Sequence, residues 1–315
     1  MKVLVTGCSG YIGGQTAIKL KDLGHHVVGV DWQMLPTHLR PFLDKFIHED
    51  FGSQASLLDL MQLQPDAVIH CAGTSLVGPS ATKPALYYDN NFVKTKRMLD
   101  TLVSNKFFPR IVFSSSAAVY GETLLPCKEN DHLSPISPYG ESKLMVEQML
   151  RSYRSAYGVD SVSFRYFNAC GADPKGRHGQ AANATHIIAR VLESVRDNQQ
   201  FTLFGTDYDT EDGTCVRDYV HVDDIVAAHV MAINNMEVPQ GVYNLGTNQG
   251  VSNLEIIKHA IKITQMDLRI VNGQKRAGDP AILTANAERF TAITGWKPKY
   301  TFEETIEHAW RWYNR

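Results

Sequence analysis

Short apolar runs alternate with stretches of helical spacing through the first half of the chain. Lys2-Val3-Leu4-Val5-Thr6 reads as a buried strand that runs directly into Gly7-Cys8-Ser9-Gly10-Tyr11-Ile12-Gly13, and Ala17, Ile18, Leu20 and Leu23 then mark a helix. His26-Val27-Val28-Gly29-Val30 is a second strand, ending at Asp31. Lys45 to Asp50 is a third, and Ala67 to His70 a fourth that ends at Cys71-Ala72-Gly73. A fifth, Arg110 to Ser114, precedes a serine run, and a helix around Tyr139 continues through Met145, Val146, Met149 and Leu150. This alternation predicts an α/β fold with a doubly wound parallel sheet, whose ligands gather at the carboxyl ends of the strands. Asp31, Asp50, Ala72-Gly73 and Ser114 to Ser116 all follow predicted strands. From Asn168 the pattern turns irregular, and residues 171–179 are rich in Gly, Pro and charge. The expected division is a nucleotide-binding domain over 1–167 and a smaller mixed α/β substrate domain over 168–315. Residues 219–247 are expected to return to the first domain, with Tyr219 to Val222 and Val242 to Leu245 as strands of the main sheet.

Composition narrows the function classes. With 43% hydrophobic and 20% charged residues the chain is ordinary for a globular protein, and 315 residues suffice for one large or two modest domains. A formal net charge of −2, with Lys and Arg dispersed, argues against a nucleic-acid partner. The five cysteines form no CxxC pair and no leader precedes the first strand, which predicts reduced thiols in a cytoplasmic protein. No apolar run approaches the roughly 20 residues of a membrane helix, so no membrane association is expected. His48, His70 and His221 flank strand ends without metal-ligand spacing; they read as structural, and no metal is implied.

Two features carry chemistry. Tyr139 and Lys143 stand four residues apart, which puts a phenol and an ammonium on one helix face. For a tyrosine to act as base at neutral pH its pKa must fall by roughly 3, worth about 4 kcal/mol. A cation about 6 Å away in an effective dielectric near 20 supplies roughly 3 kcal/mol, so Lys143 together with an oxidised nicotinamide ring would be about enough. The second feature is the glycine turn at Gly7, Gly10 and Gly13. Glycines let backbone approach a pyrophosphate, and the amides that open the following helix hold its charge. Asp31, at the end of the second strand, is placed to accept hydrogen bonds from an adenosine ribose and to repel a 2′-phosphate, which favours NAD over NADP.

The full set of motifs resembles the extended short-chain dehydrogenase/reductase superfamily and, within it, the UDP-galactose 4-epimerases. The resemblance covers nearly the whole chain. It rests on Val3 to Gly13, Tyr87-Tyr88-Asp89-Asn90-Asn91, Ser114 to Gly121, Arg165-Tyr166-Phe167-Asn168, Thr210-Glu211-Asp212-Gly213-Thr214 and Arg217-Asp218-Tyr219-Val220-His221-Val222. It implies a Rossmann-type fold and a catalytic set of Ser116, Tyr139 and Lys143. The implied cofactor is NAD, held by Gly7, Gly10, Tyr11, Ile12, Gly13, Asp31, Asp50, Phe51, Cys71, Ala72, Gly73, Asn90, Ser114, Tyr139, Lys143 and Tyr166. The implied substrate is a UDP-sugar. Ser116, Asn168 and Asn183 would meet its sugar and diphosphate, Thr202 and Phe204 its uracil, Arg217 and Arg276 its diphosphate, and Asp279 its ribose. Read without the resemblance, each of these could equally be a surface charge or a loop amide.

The reaction implied is exchange of UDP-glucose and UDP-galactose through a 4-keto intermediate. Ala117 and Ala118 stand where similar 4,6-dehydratases carry Asp-Glu, so no group is present there to eliminate water. Leu283 matches a position bordering the hexose. Tyrosine there restricts the family's pocket, a small residue admits an N-acetyl group, and leucine is intermediate, so N-acetylated UDP-hexosamines are expected substrates too. Ser75 replaces a lysine that many members place near the cofactor diphosphate. Rival readings are a 4-epimerase for another UDP-linked hexosamine, pentose or uronate, a net dehydrogenase, and a non-catalytic NAD-binding sensor. Helices over residues 85–104 and 139–157 carry apolar residues beyond one face, among them Leu99, Leu102, Met145 and Met149, and similar epimerases pair the matching helices into a homodimer.

Overall fold

The computed structural model describes residues 1–123, 126–182, 184–275 and 279–315. In chain order it begins with β1 (Lys2–Thr6), α1 (Tyr11–Asp22), β2 (His26–Asp31), β3 (Lys45–His48), α2 (Gln54–Leu63) and β4 (Ala67–His70). Next come α3 (Val77–Ser80), α4 (Pro84–Tyr87), a π-helical turn (Tyr88–Val93), α5 (Lys94–Ser104), β5 (Arg110–Ser116), α6 (Pro138–Tyr157) and β6 (Ser161–Tyr166). The second half holds β7 (Asn168–Cys170), α7 (Ile187–Arg196), β8 (Phe201–Phe204), β9 (Val216–His221), α8 (Val222–Asn234) and β10 (Gly241–Leu245). It closes with β11 (Gly250–Ser252), α9 (Asn253–Thr264), β12 (Ile270–Gly273), β13 (Ile282–Leu283), α10 (Glu288–Thr294) and α11 (Phe302–Tyr313).

The chain folds as two compact units. The first comprises residues 1–121, 133–165 and 226–243, the second residues 122–132, 166–225 and 244–315. The main sheet runs β10-β6-β5-β4-β1-β2-β3. β1 pairs in parallel with β2 and β4, β2 with β3, and β4 with β5. Burial of both sheet faces explains why these strands are near-continuous Val/Ile/Leu runs. One core cluster joins Leu4, Val28, Val68, Ile111 and Phe113 to Met98, Leu99, Leu102, Val146, Met149 and Leu150 from the helices. Leu99, Leu102 and Met149 are therefore spent inside this unit; Met145 is half-buried.

The second unit has its own sheet and core. β9 lies between β11 and β13 and also pairs in parallel with β7, Asn168 opposite Tyr219. The expectation that Tyr219 to Val222 joins the main sheet is thus corrected: β9 finds its ladder partners in β7, β11 and β13, and of the two segments expected to return, only β10 does. Residues 122–132 also belong here, because Cys127 exchanges backbone hydrogen bonds with Thr284 and Asn286 and its carbonyl accepts the Asn244 amide. The core packs Ile188, Leu192, Phe201, Leu203, Ile256, Ile257, Ile306 and Tyr313. Among the described residues no helix is long and apolar enough to cross a membrane.

One buried ion pair ties α6 to the main sheet. Arg165 on β6 donates through Nε and Nη2 to Glu147 at 3.0 and 2.6 Å, and through Nη1 to the Tyr120 hydroxyl at 2.9 Å. The Ser115 hydroxyl donates to Glu147 as well. Glu147 is 6% and Arg165 2% exposed, so loss of one partner strands the other charge without water. Glu147→Gln is expected to cost about 3 kcal/mol or more in denaturant unfolding. The double change Glu147→Leu/Arg165→Met should cost less than the two single changes summed; additivity would deny the coupling.

Candidate active site

The turn after β1 is built by close backbone approach. Gly7 N–H donates to Val30 O at 2.9 Å and Gly10 N–H to Gly7 O at 3.1 Å, so the turn closes tightly before α1 begins at Tyr11. A Cβ at Gly13 would lie 2.1 Å from Gly7 O, which only glycine avoids. Gly10 stands at the N-cap of α1, where it offers no side-chain cap. At the end of β2, Asp31 accepts the Ser9 and Gln33 amides, one on each oxygen, both at 2.9 Å. Burial raises its pKa, and the two amides oppose that shift. Each oxygen keeps a lone pair for a ribose hydroxyl. A glycine cradle, a helix start without a side-chain cap and a fixed carboxylate form a donor set that fits a dinucleotide.

β4 ends beside this turn. Ala72 N–H donates to Thr6 Oγ1 at 3.1 Å, which also bonds His70 Nδ1 at 2.7 Å. His70 Nε2 meets Thr95 Oγ1 at 2.8 Å, and that hydroxyl donates to Asn91 O. His70 therefore carries its proton on Nε2, and burial draws its pKa down to about 3. It is a structural residue. Asn91, 2% exposed, clamps the loop after Gly73: its Oδ1 accepts Thr74 N–H at 2.7 Å, while its Nδ2 donates to Thr74 O and to Ser142 on α6. Asp50 and Asn90 meet through Lys94, whose ammonium lies 2.7 Å from the Asp50 carboxylate and 2.6 Å from Asn90 Oδ1. Phe51 is buried with its ring against His70, centroids 4.9 Å apart.

The phenol and ammonium lie at the tip of β5. Ser137 caps α6 on Gly140 N–H, and Pro138 opens the helix with φ already set. A Cβ at Gly140 would lie 2.4 Å from Ala118 O, so glycine lets α6 press against the turn that follows Ser116. Ser116, which caps the short helical turn over Ala117–Val119, faces the Tyr139 phenol and opposes the rise in pKa that burial imposes on it. Lys143 Nζ donates to Ser114 O at 2.8 Å and lies 5.9 Å from the Tyr139 ring centroid. Ser114 Oγ donates to Cys71 Sγ at 3.3 Å, and burial lifts that thiol to about 11. Cys71 is thus a packing residue here, not a nucleophile. Tyr87 stands edge-on to Tyr139, centroids 6.4 Å apart. Burial raises the Tyr139 pKa, so Lys143 alone does not bring the phenol towards neutrality.

Unit 2, taken by itself, holds a cavity of about 190 Å³, lined among others by Asn168, Thr202, Phe204, Arg217 and Asp279. Arg217 Nη2 pairs with Asp279, and its Nη1 donates to Val216 O and Ala281 O at 2.8 and 3.3 Å. Leu283 stands opposite Arg217 in the β13–β9 ladder. Tyr166 ends β6, two residues before Asn168. Asn183 and Arg276 lie outside the described residues. Sequence reading passed over Asn91, Ser142 and Glu147. Glu147 carried a signal, since residues 139, 143 and 147 fall at successive four-residue steps on α6.

Lys143 bears a cost that titration exposes. Burial lowers its pKa from 10.5 to about 8, with Cys71 and Glu147 opposing. Between those two values the unfolded chain holds a proton that the folded chain has released, so this group makes stability rise with pH across that window. Below it the folded chain carries the full cost of a buried ammonium. Lys143→Met is therefore expected to be more stable than the parent at pH 7 by about 1–3 kcal/mol in denaturant unfolding, net of the lost hydrogen bond. That advantage should shrink as pH rises from about 8 towards 10.5. A variant less stable at pH 7 would show that the bonds of Lys143 outweigh its desolvation.

Residues 3–246 match the model of the NAD dependent epimerase/dehydratase family. The UDP-glucose 4-epimerase of Halalkalibacterium halodurans is 40% identical over 321 residues, covering 99% of this chain and 96% of its own. The structure of the Stenotrophomonas maltophila UDP-glucose 4-epimerase, with bound NAD and formylated UDP-arabinopyranose, superposes with a TM-score of 0.93 at 31% identity, covering 100% of this chain and 98% of that one. The Bifidobacterium longum UDP-glucose 4-epimerase, in complex with NAD+ and UDP, gives 0.92 at 33% identity over 100% and 98%. The cradle at Gly7 to Gly13, the carboxylate of Asp31 and the Ser116–Tyr139–Lys143 cluster thus sit in a chain that belongs to the NAD dependent epimerase/dehydratase family.

Proposed function

We propose that the chain is an NAD-dependent 4-epimerase that interconverts UDP-glucose and UDP-galactose. The observation that carries the reading is Lys143 Nζ 5.9 Å from the Tyr139 ring centroid, with Ser116 facing the phenol and Ala117 and Ala118 following it. The relatives named above as UDP-glucose 4-epimerases, and the neighbours seen with NAD and UDP or a UDP-sugar, support it. The cofactor residues proposed are Gly7, Gly10 to Gly13, Asp31, Asp50, Phe51, Cys71 to Gly73, Asn90, Ser114 and Tyr166, with Tyr139 and Lys143 at its reactive end. When bound, NAD supplies the hydride acceptor and donor at the sugar C4 and, oxidised, a second positive charge beside the phenol.

In this reading Tyr139 Oη removes the proton of the C4 hydroxyl as the C4–H bond breaks, leaving a 4-keto sugar. Ser116 bonds the same sugar oxygen and shares that proton with Tyr139. Lys143 stabilises the phenolate electrostatically from below the ring. After the keto sugar turns over, Tyr139 returns the proton to the C4 oxygen while hydride arrives on the opposite face, so C4 inverts with no net oxidation. Ala117 and Ala118 offer neither acid nor base for elimination of water, so the sequence of bonds stops at reversible oxidation. Asn168, Thr202, Phe204, Arg217 and Asp279 are assigned to the nucleotide and its diphosphate, where the planar fork of arginine binds two oxygens at once. Leu283 is assigned to the hexose border; apolar and flexible, it leaves room for an N-acetyl methyl, so UDP-N-acetylhexosamines are included. The helices α5 and α6 are assigned to a homodimer, since Leu144 and Met145 on α6 remain half-buried.

Protein incubated without added NAD should convert UDP-galactose and UDP-N-acetylgalactosamine to their 4-epimers, resolved by chromatography. Tyr139→Phe should keep the fold and lower turnover by about 10² to 10⁴. Retention of more than about a tenth of the activity would remove Tyr139 as base, and absence of the acetylated product alone would remove only the role of Leu283. Light scattering at micromolar concentration should return a dimer mass; a monomer would set the α5/α6 assignment aside.

A further inference from the structure

The apolar face of α7 is buried through Ile188, Ala189, Val191, Leu192 and Val195, while Arg190 stays exposed at the edge of the nucleotide cavity that it helps to line. The Arg190 amide donates to His186 O, and among the described residues its guanidinium has neither hydrogen bond nor ion pair. Its two basic counterparts nearby are both committed. Arg196, further along α7, pairs with Asp197 at 2.7 Å. Arg217, across the cavity, is offset by Asp279 and spends Nη1 on two backbone carbonyls. Glu193, three residues on from Arg190, acts electrostatically on Arg196 and Tyr313. Arg190 is therefore the charge left uncompensated among the described cavity residues. It also stands in the first turn of a helix, where the dipole disfavours a cation and where that turn itself holds no acid.

We infer that Arg190 is a phosphate ligand of this cavity, supplying the net positive charge that Arg217, neutralised by Asp279, does not. The inference rests on the reading of the cavity as the seat of a nucleoside diphosphate and assigns that seat a residue no motif marked. A flexible guanidinium at the rim can fold onto a diphosphate bidentately and then be desolvated with it. It serves ground-state binding and is no part of the proton chemistry at Tyr139.

The test is calorimetric titration of the NAD-loaded protein with UDP and with uridine, for the parent, Arg190→Gln and Arg190→Lys. Arg190→Gln should weaken UDP binding by about tenfold and leave uridine unchanged, and Arg190→Lys should recover only part of the loss, since the charge remains but the bidentate fork does not. Unchanged UDP affinity in Arg190→Gln overturns the inference and leaves the nucleotide reading standing. Equal losses for UDP and uridine overturn it too, because a merely structural role would weaken both. If the parent binds UDP no more tightly than uridine, the cavity does not read a diphosphate and both conclusions fall.

Discussion

A buried ammonium at Lys143 is the constraint around which the first unit is organised. Taking such a group from water carries a penalty of several kcal/mol even after relaxation, so every surrounding choice has to limit it. Ser114 O receives its proton at 2.8 Å, the Phe113 ring lies 4.9 Å away, and Glu147 sits one helical turn further along α6. Glu147 is itself buried and would add a second penalty, which Arg165 and Ser115 offset through direct hydrogen bonds, Arg165 being held in turn by the Tyr120 hydroxyl. The result is an alternating chain of charge, ammonium to carboxylate to guanidinium, running from the tip of β5 to β6. Packing Lys143 with a hydrophobic residue would be easier. Its retention against that cost is best explained by the phenol above it.

Position is then fixed by where backbones touch. Glycine at 13 lets α1 start against the carbonyl of Gly7, and glycine at 140 lets α6 seat against the carbonyl of Ala118. The first approach brings a helix start to the place where a pyrophosphate would lie. The second carries Tyr139 within hydrogen-bond reach of Ser116. Asn91 links the two regions, because its one amide group holds both the loop after Gly73 and the Ser142 hydroxyl on α6. A small displacement of α6 would therefore be felt at the cofactor loop as well as at the phenol, an arrangement suited to keeping the two in register.

Most of the first unit was legible because buried parallel strands announce themselves as apolar runs and the glycine turn follows one of them directly. What sequence left hidden has specific physical causes. Val216 to His221 looks like any central strand, and only its ladder partners, β7, β11 and β13, reveal that it belongs to a second sheet. Leu99, Leu102 and Met149 looked surplus to one helix face, yet α5 and α6 are each buried over a broad arc. The Tyr139–Lys143 spacing places the two side chains on one face of α6, but it says nothing of burial, which raises the phenol pKa in the chain alone. Coulomb attraction was counted from the sequence, whereas desolvation, the largest influence on Tyr139, depends on burial that no single residue encodes. Asn91 was quoted within a motif and given no role, because its function is to join two segments 51 residues apart.

In the proposed reading the two units divide the chemical task by the kind of interaction each supplies. Unit 1 commits its polar groups to one another: His70 between two threonines, Lys94 between Asp50 and Asn90, Lys143 on a carbonyl, each geometry fixed before any ligand arrives. Such preorganisation suits a proton transfer, where a loosely held base would lose rate. Unit 2 instead presents hydrogen-bonding capacity held in moderate reserve, an arginine leaning on an aspartate and a second arginine with no described partner. Binding of a nucleotide can exchange those contacts at little cost, and its affinity then resides in groups remote from the reacting carbon. A reaction that must release a keto sugar and take it back on the other face needs both properties: a rigid proton carrier, and a firm hold on a part of the substrate that does not turn.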